Sequence, residues 1–292
     1  MDIVTVPSEL QARCLAWRAE GLRLALVPTM GFFHAGHTSL MREGRKRADR
    51  LVVSLFVNPA QFGPEEDLDR YPRDPERDAR TAEGCGVDIL FMPAPEAMYA
   101  ADHATWVEVP ELAAPLCGRS RPTHFRGVAT VVTKLFLLAQ PHLALFGRKD
   151  WQQLTIIRRL ARDLAIPVEV LGLPTVREED GLAMSSRNAY LSPEERRQAP
   201  HIRKGLLFAR KLIQEGARET SLLDAAVREY WAQHFPLGRV DYLSFVHPET
   251  LRAVEHVRGP VLAAAALQAQ KARLIDNLLI DPGCTVQSDL AL

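Results

Sequence analysis

The sequence predicts an α/β protein: a parallel β-sheet with helices on both faces, plus a smaller α+β C-terminal domain with an antiparallel sheet. Three observations predict it. Apolar runs of strand length recur as far as Leu171, with helical patterns between several of them. Beyond Pro174 the texture changes to helices followed by consecutive strand-like runs. The composition, 292 residues with 47% hydrophobic and 25% charged, is globular and argues against disorder, collagen or coiled coil. At roughly 150 residues per domain, this length suggests about two domains, or one large α/β domain, and buries a sizeable core.

The strand-length runs cover residues 22–27, 51–57, 87–92, 142–146 and 168–171. Val128, Val131, Val132, Leu135, Phe136 and Ala139 recur at spacings of three and four, as do Leu154, Ile157, Leu160, Ala161 and Leu164. Both sets predict amphipathic helices packed on the sheet. Asp74-Pro75 and Ser192-Pro193 are helix starts of the N-cap plus proline kind, and Glu195 completes a capping box with Ser192. Beyond the loop at 174–181, helices are expected at about 193–214 and 221–234 and strands at 240–246, 261–266 and 273–280. The expected domains are therefore 1–175 and 176–292.

Thirty-six basic residues balance thirty-six acidic ones. That balance removes the electrostatic signature of a protein that coats nucleic acid or an anionic membrane, so neither is expected as a partner. Arg42, Arg45, Lys46, Arg47 and Arg50 are expected as an exposed helix surface, and the charged stretch 64–80 as a solvated loop and helix face. Cys14, Cys85, Cys117 and Cys284 are too far apart for zinc-ligand spacing, which fits a reduced cytoplasmic setting. The N-terminus has neither a basic n-region nor a long apolar run, and no stretch reaches the ~18 residues of a membrane span.

Four segments carry chemistry. After the first strand run comes Met30-Gly31-Phe32-Phe33-His34-Ala35-Gly36-His37, followed by a helical pattern. The carboxyl end of a parallel strand meets the next helix N-terminus there, a position suited to phosphate. A zinc site is less well supported, because third and fourth ligands are missing. Asn58 and Gln61, near the second strand's end, are neutral amides able to read hydroxyls or a carboxylate. Gly147-Arg148-Lys149-Asp150 then offers a cation for phosphate. Asp150 suits either a helix cap or ribose hydroxyls. Met184-Ser185-Ser186-Arg187, in a loop entered through Gly181, brings two hydroxyls and a guanidinium suited to phosphate oxygens.

The H-x-G-H segment resembles the HIGH motif of the nucleotidyltransferase and class I aminoacyl-tRNA synthetase superfamily, and M-S-S-R resembles its KMSKS loop. PTMGFFHAGH, SLFVNPAQFGPEEDLDRYPRD, RPTHFRGVATVV, LFGRKDWQQL and PTVREEDGLAMSSRNAYL, in this order, resemble the pantothenate synthetase (pantoate–β-alanine ligase) family over essentially the whole chain. The resemblance implies ATP-dependent condensation of (R)-pantoate with β-alanine, with Mg2+ as cofactor, giving pantothenate, AMP and pyrophosphate through a pantoyl adenylate. It also implies a homodimer, a Rossmann-like N-terminal domain and a smaller C-terminal lid. Carried over by position, Met30, Gly31, Phe32, Phe33, His34, Ala35, Gly36 and His37 would wrap ATP together with Gly147, Arg148, Lys149, Asp150, Val176, Met184, Ser185, Ser186 and Arg187. His34, His37, Lys149, Ser185, Ser186 and Arg187 would be catalytic. Gln61 and Gln153 would hold pantoate, and Gln61 also β-alanine, while the metal ligands stay unassigned.

The chain departs from the family pattern at Phe32, Phe33 and Ala35, at Arg148 where glutamate is common and at Thr123 where glycine is common. His34, Gly36 and His37 are intact. Another HIGH-motif adenylyltransferase and a non-catalytic ATP-binding module are the alternatives; a synthetase acting on tRNA would need an RNA-binding surface that the neutral charge does not advertise.

Overall fold

The computed structural model describes residues 1–64 and 66–283. Its strands are β1 (Asp2–Val4), β2 (Leu24–Thr29), β3 (Arg50–Leu55), β4 (Ile89–Phe91), β5 (Leu143–Gly147), β6 (Glu169–Leu173), β7 (Arg239–Val246), β8 (Val261–Gln268) and β9 (Arg273–Ile280). Its helices are α1 (Pro7–Ala19), α2 (Ala35–Arg47), α3 (Pro75–Gly84), α4 (Pro95–Met98), α5 (Pro110–Ala113), α6 (Cys117–Ser120), α7 (His124–Ala139), α8 (Trp151–Asp163), α9 (Pro193–Gln198), α10 (His201–Gln214) and α11 (Thr220–His234). Two compact units emerge. The first comprises Met1–Ala113, Arg121–Arg148 and Gln153–Leu173; the second comprises Ala114–Ser120, Lys149–Gln152 and Pro174–Leu292.

The first unit holds a six-stranded sheet in the order β1-β4-β3-β2-β5-β6, with every pairing parallel. A strand covered on both faces needs apolar residues throughout, and Leu24, Ala25, Leu26 and Val27 of β2 are all buried. Ala25, Val27, Leu51, Val53, Leu90, Leu143 and Leu145 cluster with Leu40 and Met41 of α2 and Ala82 of α3. The alternate residues Leu24, Leu26, Val52, Ile89 and Ala144 are also buried, and α1 and α7 pack on each other and on β2. The helices thus cover both faces. Because β2 pairs with β3 on one side and with β5 on the other, the strand order switches direction there. A crevice beyond the carboxyl ends of such strands is the usual ligand position of an open parallel sheet.

The second unit carries the antiparallel sheet β7-β8-β9. Trp231 and Phe235, on and after α11, pack with Leu206 and Ile213 of α10 against Ala263, Ala265 and Leu267 of β8.

The sequence pattern predicts neither β1 nor α1. The strand β1 has three residues, and α1 buries only Leu10 and Cys14, so neither leaves a strong apolar period. The stretch expected as one helix over 193–214 is two, because Pro200 lacks the N–H that would continue the ladder; α9 ends at Gln198 and α10 begins at His201. The Ser192–Glu195 capping box closes as the pattern predicts, with Ser192 N donating to Glu195 Oε2 at 2.8 Å and Glu195 N to Ser192 Oγ at 3.2 Å. Cys14, Cys85 and Cys117 are buried free thiols, and Cys284 lies outside the described residues. Among the described residues no helix is long and apolar enough to cross a membrane.

Candidate active site

The loop after β2 places His34 at the N-cap of α2, with an extended backbone. Its Nδ1 accepts from Gly36 N at 3.1 Å, while His34 N donates to His37 Nδ1 at 3.3 Å. The two imidazoles therefore form a reciprocal cap, with ring centroids 4.1 Å apart. A backbone N–H can only donate, so each neutral ring accepts at Nδ1 and carries its proton on Nε2. Gly36 makes this arrangement fit: a Cβ there would lie 2.8 Å from His34 Cε1 and 2.9 Å from Nδ1. The glycine of H-x-G-H thus has a steric reason.

The same loop is held from α3. The Asp78 carboxylate accepts from Phe32 N at 2.6 Å and Phe33 N at 2.7 Å, and Arg77 Nη2 donates to Phe33 O at 2.6 Å. The sequence placed this stretch in a solvated loop and helix face, yet Asp78 is only 1% exposed. Burial pushes its carboxyl above the usual aspartate value, against the opposing pull of the Phe33 and Phe32 amides. Asp78 and Ala82 are the buried residues of α3, one helical turn apart, which was the available signal. The Phe33 ring sits in the apolar core under α2, and the Arg77 guanidinium lies 4.8 Å from the centroid of the Phe32 ring.

Gln61 ends a short 3-10 turn after β3 and is buried. Its Oε1 accepts from Asn58 Nδ2 at 3.0 Å, and its Nε2 lies 3.8 Å from Met30 Sδ, so the structure brings Gln61 to the first loop. Its carbonyl accepts from Arg121 Nη2 at 3.1 Å and lies 2.9 Å from His124 Nδ1. The helix α7 approaches so closely that a Cβ on Gly127 would meet Ala60 O at 2.1 Å. Asn58 Nδ2 also donates to Gly127 O at 3.0 Å. Gly127, Arg121 and His124 are supporting residues that periodicity alone does not reveal.

At the end of β5, Arg148 Nε donates to Gly172 O at 2.9 Å, which turns its side chain onto β6. Gln153, on α8, is half-buried, and its neighbour Gln152 is consumed structurally in the second unit. Gln152 Oε1 accepts from Cys117 N at 3.0 Å, and its Nε2 donates to Pro115 O at 2.6 Å.

In the second unit, residues 176–184 form a tight hairpin in which Met184 N donates to Val176 O at 3.0 Å. Arg177 grips Asp276 of β9 with contacts of 2.8 and 3.0 Å, and its Nη1 also donates to Gly181 O. Ser185 Oγ accepts from Arg187 N at 3.3 Å, and Ser186 is buried. Lys149 and Ser185, distant in sequence, line one small cavity with Ala183, Asn188 and Asp276. The Asn188 Oδ1 atom is buried there without a hydrogen-bond partner. Lys149 Nζ lies 3.7 Å from Asp150 Oδ2. Among the described residues, no three of His, Cys, Asp and Glu converge as metal ligands.

Residues 2–279 match the family model described as Pantoate-beta-alanine ligase. The chain belongs to this family. It is 62% identical over 280 residues to the pantothenate synthetase of Desulfovibrio desulfuricans, covering 96% of this chain and 99% of the relative, and 59% identical to that of Oleidesulfovibrio alaskensis, with 96% and 100% covered. The solved pantothenate synthetase of Thermus thermophilus aligns with a TM-score of 0.88 at 47% identity over 95% of this chain and 99% of that one. The pantoate-beta-alanine ligase of Francisella tularensis aligns at 0.78 and 28% identity over 97% and 100%. Members of the family are ligases that form a carbon–nitrogen bond, and the Rossmann-like parallel sheet with its antiparallel companion is the architecture expected of one.

Proposed function

We propose that this ligase condenses (R)-pantoate with β-alanine, consuming ATP and releasing pantothenate, AMP and pyrophosphate through enzyme-bound pantoyl adenylate. The observation that carries the reading is the family match over residues 2–279. The Francisella tularensis relative was solved in complex with beta-gamma ATP and beta-alanine.

In the first step a carboxylate oxygen of pantoate attacks the α-phosphorus of ATP and the bond to pyrophosphate breaks. In the second, the β-alanine amine attacks the acyl carbon, AMP leaves with the bridging oxygen, and the amine gives up a proton. No protein nucleophile is required. What the first step needs is preorganised donors at oxygens that gain charge. This work falls to the Nε2–H groups of His34 and His37, with His37 as proton donor, and to Lys149, Ser185, Ser186 and Arg187. The backbone from Met30 to His37 wraps the nucleotide at the head of α2, with Gly147, Arg148, Asp150, Val176 and Met184 as further contacts, Arg148 through its main chain. Gln61 and Gln153 hold pantoate, and Gln61 also β-alanine. Excluding water protects the mixed anhydride, the role proposed for the C-terminal domain.

Magnesium enters this reading as the partner of the triphosphate. Mg2+ commonly keeps several waters and binds through substrate phosphates with one or two carboxylates, so it requires no dedicated protein cage. The enzyme on this proposal acts as a homodimer in the cytoplasm; light scattering tests the dimer.

Pyrophosphate release, measured with and without each substrate, tests the function. Release that requires ATP and pantoate together, with pantothenate appearing only when β-alanine is added, is expected. A non-catalytic ATP-binding module would release none, and a plain adenylyltransferase would be indifferent to β-alanine.

A further inference from the structure

We propose that Arg77 and Asp78 are a positioning clamp that sets the tautomer and placement of His37, resting on the proposed use of His34 and His37 at the nucleotide phosphates. The geometry that carries it runs through three consecutive peptide groups. Phe32 has φ +53°, a left-handed backbone that a bulky side chain rarely adopts. That conformation turns the successive N–H groups of Phe32 and Phe33 toward one point, the concave arrangement that ordinarily collects an anion. The point is taken by the Asp78 carboxylate, one oxygen to each amide at 2.6 and 2.7 Å. An internal anion therefore occupies the concavity, which leaves the head of α2 as this loop's phosphate-binding position.

The link to chemistry is the next peptide. Phe33 C=O and His34 N–H belong to one rigid planar group. Arg77 Nη2 holds its oxygen at 2.6 Å, and its N–H donates to His37 Nδ1 at 3.3 Å. Fixing the oxygen fixes the direction of the N–H, and the N–H holds His37 in the form protonated on Nε2. Arg77 is steadied in turn by the Phe32 ring, 4.8 Å from its guanidinium, and its own backbone N–H donates to the Asp74 carboxylate at 3.1 Å. The charged pair stands in a stretch that looks like mere solvated surface, yet it grips the loop at three peptide groups.

The test uses the full-length enzyme and its Asp78→Asn, Arg77→Met and Arg77→Lys variants. The amide in Asp78→Asn keeps the volume but presents an NH2 donor to one of the two N–H groups. Histidine 15N NMR at neutral pH is expected to show His37 protonated on Nε2 in the parent and a growing Nδ1–H population in Asp78→Asn and Arg77→Met. The kcat of pantoate-dependent pyrophosphate release should fall roughly a hundredfold, as for a misplaced catalytic group, with a smaller change in KM for ATP. Arg77→Lys, which keeps a donor, should recover part of the loss. Histidine signals and kcat within threefold of the parent in both Asp78→Asn and Arg77→Met would overturn the clamp. So would activity lost only in step with melting temperature and unaided by lysine at 77. If the parent itself releases no pyrophosphate, the functional reading fails while the tautomer shift still decides the clamp.

Discussion

The side-chain amide of Asn277, on the last strand of the C-terminal sheet, donates to the main-chain carbonyl of Lys149 at 2.8 Å. Asn277 is 9% exposed, and its neighbour Asp276 is locked by Arg177. The lysine expected at the phosphates is thus anchored by a residue 128 positions away. Removing that donor leaves a carbonyl unpaired, at about 1–3 kcal/mol. Asn277→Ala is predicted to lower the kcat of pyrophosphate release by roughly tenfold. Combined with Lys149→Ala it should add little to the loss from Lys149→Ala alone, because both act through one group. Fully additive losses would show that Asn277 does not act through Lys149.

Gly36→Ala tests the steric reason for the glycine of H-x-G-H. A methyl group 2.8 Å from the His34 ring forces that ring out of its cap. The predicted result is a fall in kcat/KM comparable with His34→Ala, near a hundredfold for loss of one preorganised donor, with a small change in melting temperature. Near-normal turnover in the alanine variant would contradict it.

Adjacent glutamines should behave differently. Gln152 is 5% exposed and satisfies Cys117 N and Pro115 O, so Gln152→Leu should lower stability by about 1–3 kcal/mol. Gln153→Leu should leave melting unchanged but raise the KM for pantoate, with ATP affinity near normal by calorimetry. An ATP affinity that collapses in Gln153→Leu would mean the pantoate subsite is misassigned.

Glu195 predicts an acid-labile second unit. Burial alone would raise its carboxyl, but the N–H groups of Gln270 and Ser192 outweigh burial and hold it below the usual glutamate value. A depressed carboxylate contributes stability above its unfolded pKa of ~4.3, and that contribution is lost as pH falls through the folded value. Glu195→Gln should therefore be less stable than the parent at neutral pH, and the gap should close in acid denaturation midpoints below about pH 4. A gap that stays constant with pH would refute the assignment.

The sheet strands other than β1, and the H-x-G-H and M-S-S-R loops, are legible because each is a run of consecutive residues with its own period or chemistry. Their supports are not. Asp78 reaches the first loop across 46 residues, and Asn58 reaches Gly127 across 69. In sequence Asp78 is one more charge in an acidic and basic stretch, and Gly127 is one more small residue in a helix. Only the folded backbone shows that the first is buried against two amides and the second touches the turn carrying Gln61. Lys149 and Ser185 each carry a local signal, but no local pattern encodes their meeting in one cavity beside Asp276 of the last strand.

The adenylate route has a direct isotopic test. Pantoate carrying 18O in both carboxylate oxygens should deliver one labelled oxygen to AMP when β-alanine displaces it, because the attacking oxygen stays on the α-phosphorus while the other remains in the new amide. Label in the phosphoryl group of AMP is the predicted result. ADP in place of AMP, with the label in inorganic phosphate, would show attack at the terminal phosphate and contradict the account.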